Sequence, residues 1–391
     1  MNRKAMGWMS AIIPVAVLCL GVSSAIANEV IKIGLSVPLS GVGARWGKGG
    51  EWACRKAAQE INASGGVKVK GNIYQFDCVA YDNKFSAADG TRVAQTLLNR
   101  DGVKFIGGSI GTAPVMALQS MAERQDVVLF TSIWGLGAKG PKHPLTFTQL
   151  NTPVEILPAM VKYLTTSNPT AKTVVLLNPN DATGHETEPF AHSTWDKAGV
   201  KVVASDFFER GSTDFLPTAQ KIAALNPAIV DLGSSTPAEA GLAFKQLEIL
   251  GWKGLKVLDC GTGAHDLSAT GGTAANGVYM GLAVIYDSPS TPEHMRALNE
   301  EARPALGDSL NAVDIGFYDA LYALKAAMEK AQSVDPKDVA AVIPNVRFKT
   351  LYGGESGFGG KAFYGSAQQM ILPVSITQVS DGKLVESAQI R

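Results

Sequence analysis

The feature that most restricts this chain is a repeated alternation of short apolar runs with amphipathic helical patterns. From Val30 the order is EVIKIGLSVPL, GEWACRKAAQEINA, YQFDCVAYD, AADGTRVAQTLLNRD, VKFIGG, APVMALQSMAERQ and VVLFTS. Runs of this length, spaced by helices, predict right-handed βαβ units and a parallel sheet covered on both faces. The rhythm restarts with TVVLLNP, a helix to Ala198, VKVVASDFF, LPTAQKIAAL, AIVDLGS, AGLAFKQLEILG and KVLDCG. Two α/β lobes of similar build are the simplest account.

After Gly277 come VYMGLAVIYD, helical patterns in TPEHMRALNEEARPAL and DIGFYDALYALKAAMEKA, a glycine-rich GGESGFGGKAFYG and the strand-like QMILPVSITQVSDGKLV. Asp381-Gly382 marks a hairpin turn there. No low-complexity linker separates the lobes. Chains that cross between lobes through several short segments form hinges suited to opening and closing around a ligand.

The N-terminus has Arg3 and Lys4, an apolar stretch from Ala11 to Val22 and then Ala25-Ile26-Ala27, the order of a secretory signal cleaved after Ala27. That stretch, interrupted by Pro14, falls short of the roughly 20 residues a spanning helix needs. Leu18 before Cys19 is too bulky for a lipoprotein site, so a freely exported, periplasmic protein is expected. With 35 basic and 35 acidic residues and no charge run, the chain lacks the electrostatic footprint of a nucleic-acid binder.

Export would place Cys54, Cys78 and Cys260 in an oxidising compartment. A disulfide between Cys54, on the first predicted helix, and Cys78, on the second predicted strand, is geometrically conceivable; buried free thiols are the alternative. No CxxC spacing occurs and the histidines at 143, 185, 192, 265 and 294 are scattered, so no metal site is expected.

Two glycine-bearing loops stand out. GGSIGTAPV, residues 107–115, lies where a strand hands over to a helix, a place suited to a phosphate, a carboxylate or a plain turn. GVGARWGKG has Gly41, Gly43 and Gly47, but Pro38-Leu39-Ser40 separates it from its strand, which argues against a dinucleotide fingerprint. No HExxH and no P-loop appear, and Glu300-Glu301 reads as solvated helix charge, so an enzyme is not expected and no cofactor is implied. A hydrolase assembled from distant residues is the enzyme alternative.

VIKIGLSVPLSG, EINASGGVKVKG at 60–71, DGVKFIGG at 101–108, RGSTDF at 210–215 and GFYDALYALKAAMEKA at 316–331 together resemble the type I periplasmic solute-binding proteins of branched-chain amino acid ABC importers. The likeness runs through nearly the whole mature chain in order. It implies two Rossmann-like lobes joined by a three-segment hinge, with one small ligand in the cleft. Mapped on this chain, the first lobe is 28–149 plus 281–350 and the second 150–280 plus 351–391.

In the resembling family a ligand carboxylate is held by small hydroxyls and backbone N–H groups of the first lobe. The matching positions are Gly111 and Thr112 in one loop and Ser132, Ile133 and Trp134 in the next. A helix N-terminus supplies unpaired donors and a partial positive charge without any lysine or arginine. Trp46 matches an aromatic wall residue, and Arg45 beside it either pairs with an acidic ligand or faces solvent. The family's loop-linking disulfide is absent, its positions carrying Phe85 and Ile110.

The departure lies in the second lobe. Where amino-acid binders hold the α-ammonium with an acid and tyrosines, this chain carries Cys260, with Asp259 one place away, Thr183, and Ser235 or Thr236. A buried cation needs a charged or aromatic partner. This pattern suits a carboxylate without an α-amino group, an aromatic or short aliphatic acid. A slip of one residue would instead bring in Asp259 and admit a branched-chain or aromatic amino acid. The expected protein is a monomer that delivers its ligand to an inner-membrane permease, with a ligand-sensing receptor subunit as the alternative.

Overall fold

The computed structural model describes residues 1–2 and 29–390, so the expected signal segment and its cleavage point lie outside the described residues. Two sheets organise the chain. The first has eight strands in the order Phe358–Gly359, Gln369–Met370, Thr146–Thr148, Val128–Thr131, Phe105–Ser109, Glu29–Val37, Asn72–Asp82 and Val67–Val69. The second has seven, in the order Lys383–Ile390, Val374–Ser380, Val278–Met280, Leu255–Leu258, Ile229–Asp231, Thr173–Pro179 and Lys201–Phe208. The inner strands of both are parallel and bracketed by helices, as the alternating pattern predicts.

Burial on both faces explains the near-continuous apolar strands. In Glu29–Val37 the last five residues are buried, and Val128–Thr131 is buried throughout. Helix Ala44–Ala63 turns Ala53, Cys54, Ala57, Ala58 and Ile61 inward. Small residues on this face let it lie close to strand Asn72–Asp82, and a Cys54–Cys78 disulfide joins the two, with Cα atoms 6.3 Å apart. Of the alternatives the sequence left open, the bonded one is present, and Cys260 remains a buried free thiol.

Gly47 shows why GVGARWGKG is rich in glycine. A Cβ there would stand 1.8 Å from the Pro38 carbonyl oxygen, so only glycine lets the helix start against that backbone.

The chain passes between sheets near residues 149–152, after Met280 and at residues 371–373. Thr152 caps the first helix after the crossing, Pro153–Ser167, in a capping box with Glu155. The tail differs from expectation. Residues 358–370 pair in the first sheet beside Thr146–Thr148, and only Val374–Ser380 joins the second. Gln369 explains this: its side chain holds Lys139, Thr148 and the Leu150 carbonyl of the first lobe. Among the described residues no helix is long and apolar enough to cross a membrane.

Candidate functional site

A cavity of about 40 Å³ lies between the lobes. Its walls come from loops at the carboxyl ends of parallel strands in both sheets, where open α/β sheets place their ligands. The first lobe supplies Trp46, Phe85, Ile110, Gly111, Thr112, Ser132 and Trp134; the second supplies Thr183, Arg210, Ser234, Cys260 and Thr262. A wider, open groove of about 470 Å³ lies along the hinge segments, away from most of these loops.

The first-lobe wall is built around a helix start. Gly111, at φ 94°, precedes helix Thr112–Ala122, whose first-turn N–H groups have no intrahelical acceptor. The Thr112 hydroxyl accepts from Gly135 N at 3.2 Å and from Thr183 Oγ1 at 2.8 Å. With both lone pairs occupied, its own proton is free to be donated. Ser132 Oγ and Trp134 Nε1 are buried without a partner. An indole nitrogen can only donate, so this edge of the cavity lacks an acceptor.

Trp46 and Phe85 form an aromatic wall, ring centroids 6.3 Å apart. Phe85 sits at φ 59°, a left-handed conformation that costs about 1 kcal/mol for a residue with a side chain. Its N–H donates to Asn83 Oδ1 at 2.9 Å, which holds the turn and presents the ring to the cleft.

Arg210 is the charged side chain of the cavity wall. It is held by Asp181, by Glu239 at 3.2 Å and by the Ser234 carbonyl at 3.2 Å, and its guanidinium lies 5.2 Å from the Phe85 ring centre. Its charge is therefore balanced within the second lobe while its face touches the first. Further bridges run from Trp46 Nε1 to Thr262 Oγ1 at 3.0 Å and from Gly137 N to Glu186 Oε2 at 3.1 Å. These contacts define a closed form.

Of the residues expected from sequence, Trp46, Gly111, Thr112, Ser132, Trp134, Thr183 and Cys260 lie on the wall. Arg45 does not: it pairs with Asp314 at 3.0 Å and donates to the Ser309 carbonyl at 2.6 Å, tying two first-lobe helices together. Ile133 packs with Val115 and Ala138, and its N–H is used by Thr131 Oγ1 at 3.1 Å. Thr236 caps helix Pro237–Ile249, and buried Ser235 yields its place on the wall to Ser234. The Cys260 thiol donates to the Ser235 carbonyl, and burial pushes its pKa well up, so it stays protonated.

Asp259 faces a second void beside the first, about 10 Å³ and shared with Asp231. Burial raises both carboxyls, Asp231 to about 6 and Asp259 well above its usual range, with Asp231 adding repulsion. Arg210, Phe85 and Ser234 were not anticipated at the site. RGSTDF, placed directly after a predicted strand, carried the signal for Arg210. GGSIG has the spacing of a nucleophile elbow, yet Ser109 is a fully buried strand residue whose hydroxyl donates to the Phe130 carbonyl.

The family model described as periplasmic binding protein matches residues 30–383. The chain is 25% identical over 344 residues to the leucine-, isoleucine-, valine-, threonine- and alanine-binding protein of Pseudomonas aeruginosa, covering 87% of this chain and 88% of that one. It is 26% identical over 373 residues to Leu/Ile/Val-binding protein homolog 3 of Brucella melitensis, covering 94% and 95%. Among solved structures, a leucine-binding protein of Thermotoga maritima overlays with a TM-score of 0.78 at 20% identity, covering 92% and 98%. A solute-binding protein of an ABC transporter from R. palustris, in complex with benzoate, overlays with a TM-score of 0.76 at 17% identity, covering 92% and 96%. Two lobes of this topology, a cleft at the carboxyl ends of their strands and a match across the described chain lead to one assignment. The chain belongs to the periplasmic binding protein family, type I, as a solute-binding component of an ABC transporter in the leucine/isoleucine/valine-binding class.

Proposed function

We infer that the protein captures a small carboxylic acid without an α-amino group, aromatic or short aliphatic, and presents it to an inner-membrane permease. One observation carries this reading: the cavity wall offers hydrogen-bond donors at Thr112, Ser132 and Trp134 and includes no Asp, Glu or Tyr. A carboxylate would accept from those donors, aided by the helix N-terminus. An ammonium buried at the same place would find no acid to pair with.

Trp46, Phe85, Ile110, Leu150, Leu282 and Val313 complete an apolar surround for a ring or short chain. The benzoate complex of the R. palustris protein is in keeping with this class of ligand. The names of the curated relatives favour the second reading, an amino acid. Binding would act by population shift: ligand meets both walls only when the lobes are closed, so occupancy favours the form the permease recognises.

The test is a thermal-unfolding screen of mature protein, stripped of carried ligand by unfolding and refolding, against amino acids and aromatic, aliphatic and amide solutes. Ligand at about 1,000 times its Kd adds about 4 kcal/mol and raises the midpoint by several degrees. Shifts with acids and none with leucine, isoleucine, valine or phenylalanine are expected. Shifts with amino acids alone would overturn the reading.

A further inference from the structure

The second void is lined by Asp231 and Asp259, both fully buried, and each has one carboxyl oxygen without a hydrogen-bond partner. The other Asp231 oxygen accepts from Trp195 Nε1 at 2.7 Å. Both orphan oxygens converge on Gly233: a Cβ there would stand 2.5 Å from that of Asp259 and 3.1 Å from that of Asp231. Buried acceptors left unmade are costly, and two converging on one void need a donor between them.

Among the described residues, Trp134 and Ser234 line both this void and the ligand cavity. Trp134 Nε1 is itself buried and unpartnered. The Ser234 hydroxyl bonds Thr187 Oγ1 at 2.6 Å, inside the second void. The shared boundary between the two spaces thus includes the Trp134 indole and the Ser234 side chain. Void volume matches about one water, or one hydroxyl or amino group, and nothing larger.

We propose that this acid-lined void is a specificity subsite: it takes a hydroxyl or amino group at the end of the ligand remote from its carboxylate. The carboxylate meets donors on the first lobe and the remote donor meets acceptors on the second. The ligand class becomes hydroxy- or amino-substituted carboxylic acids. This rests on the carboxylate reading above.

Calorimetric titration of the stripped protein with benzoate, 3-hydroxybenzoate, 4-hydroxybenzoate and 4-methoxybenzoate tests it. At least one hydroxybenzoate is expected to bind about 10- to 100-fold more tightly than benzoate, as satisfying a buried acceptor left unpaired would give. The methoxy compound, similar in reach but unable to donate, is expected to lose that gain. Equal affinities for benzoate and both hydroxybenzoates would overturn the subsite and leave the carboxylate reading standing. No binding of any benzoate alongside binding of amino acids would overturn both. In Asp259→Asn the preference should fall to within about threefold; a preference kept in full would overturn the proposal. The wild-type series decides even if that variant fails to fold.

Discussion

The two lobes share an architecture and both bury carboxyls, Asp314 and Asp319 in the first and Asp231 and Asp259 in the second, but the second sets its pair together on a void behind the cleft. In the first, a disulfide ties the leading helix to its sheet, and a buried lysine, Lys139, donates to Gln369 Oε1 at 2.8 Å and lies 3.8 Å from the Tyr364 ring centre. In the second, among the described residues, there is no disulfide, the one free cysteine is buried, and two carboxyls lie buried together. The ligand-facing edges follow the same division, donors on the first lobe and acceptors behind the second. A cleft formed between unlike lobes can orient an unsymmetrical ligand, which two identical lobes could not do.

The strongest way to separate the lobes is to cut the disulfide. A 24-residue separation predicts a loss of roughly 3 kcal/mol on removal, through the freed unfolded chain. Cys54→Ser with Cys78→Ser, or reductant on the native protein, should lower the denaturation midpoint accordingly. Hydrogen exchange should accelerate in Ala44–Ala63 and Asn72–Asp82 and stay unchanged in Thr173–Pro179. Uniform acceleration would mean that the lobes unfold as one unit.

Next in size is pH. Burial raises Asp231 to about 6, so between about pH 4 and 6 the folded chain keeps a proton that the unfolded chain has released. The stability that Asp231 contributes is therefore full below that window and is lost as pH rises through it, on the order of 3 kcal/mol. Asp231→Asn, which can still accept from Trp195, should remove the Asp231 share of the fall, while Asp259, raised further, and the first-lobe Asp314 and Asp319, raised to about 6 and about 8, keep theirs. Lys139 acts oppositely. Burial lowers it from 10.5 to about 7, so the unfolded chain holds the extra proton above neutrality and stability rises with pH there. Denaturation midpoints from pH 4 to 9, compared between the wild type and Asp231→Asn, would isolate the Asp231 slope; identical profiles would mean that Asp231 does not keep its proton on folding.

What the sequence made legible follows the same line. Strand and helix alternation specifies both sheets, because buried parallel strands need continuous apolar runs whatever surrounds them. The first-lobe loops were readable since a helix start fixes where its donors point. At the second-lobe strand ends a shift of one residue turns a side chain to the other face, so Ser234 stands where Ser235 was expected and Asp259 faces the rear void. Arg210 depends on Asp181 and Glu239, partners brought together only by the fold. The tail was misplaced for a similar reason: Gln369 looks like any polar residue until Lys139 and Thr148 surround it.

A smaller effect probes the aromatic wall on the first lobe alone. Trp46 donates across the cleft to Thr262 and covers the ligand space beside Phe85. Trp46→Ala should weaken ligand binding at least about tenfold in calorimetry, from lost apolar contact together with the lost bridge. Trp46→Phe keeps much of the contact and loses only the bridge, so it should fall between the two. Unchanged affinity in the alanine variant would remove Trp46 from the binding wall.

The smallest expected effect asks whether the lobes close as rigid bodies. Thr183→Val deletes the second-lobe hydroxyl that donates to Thr112 and leaves the first-lobe wall intact. A net hydrogen bond is worth about 1 kcal/mol, so the ligand Kd should rise about fivefold. Thr262→Val removes the acceptor for Trp46 and should cost a similar amount. If closure is a single two-state step, both bonds are made together and their losses multiply, giving about 25-fold in the double variant. A double variant no weaker than either single one would show that the two bridges are alternatives, made in different closed arrangements, and the rigid-lobe picture would fail.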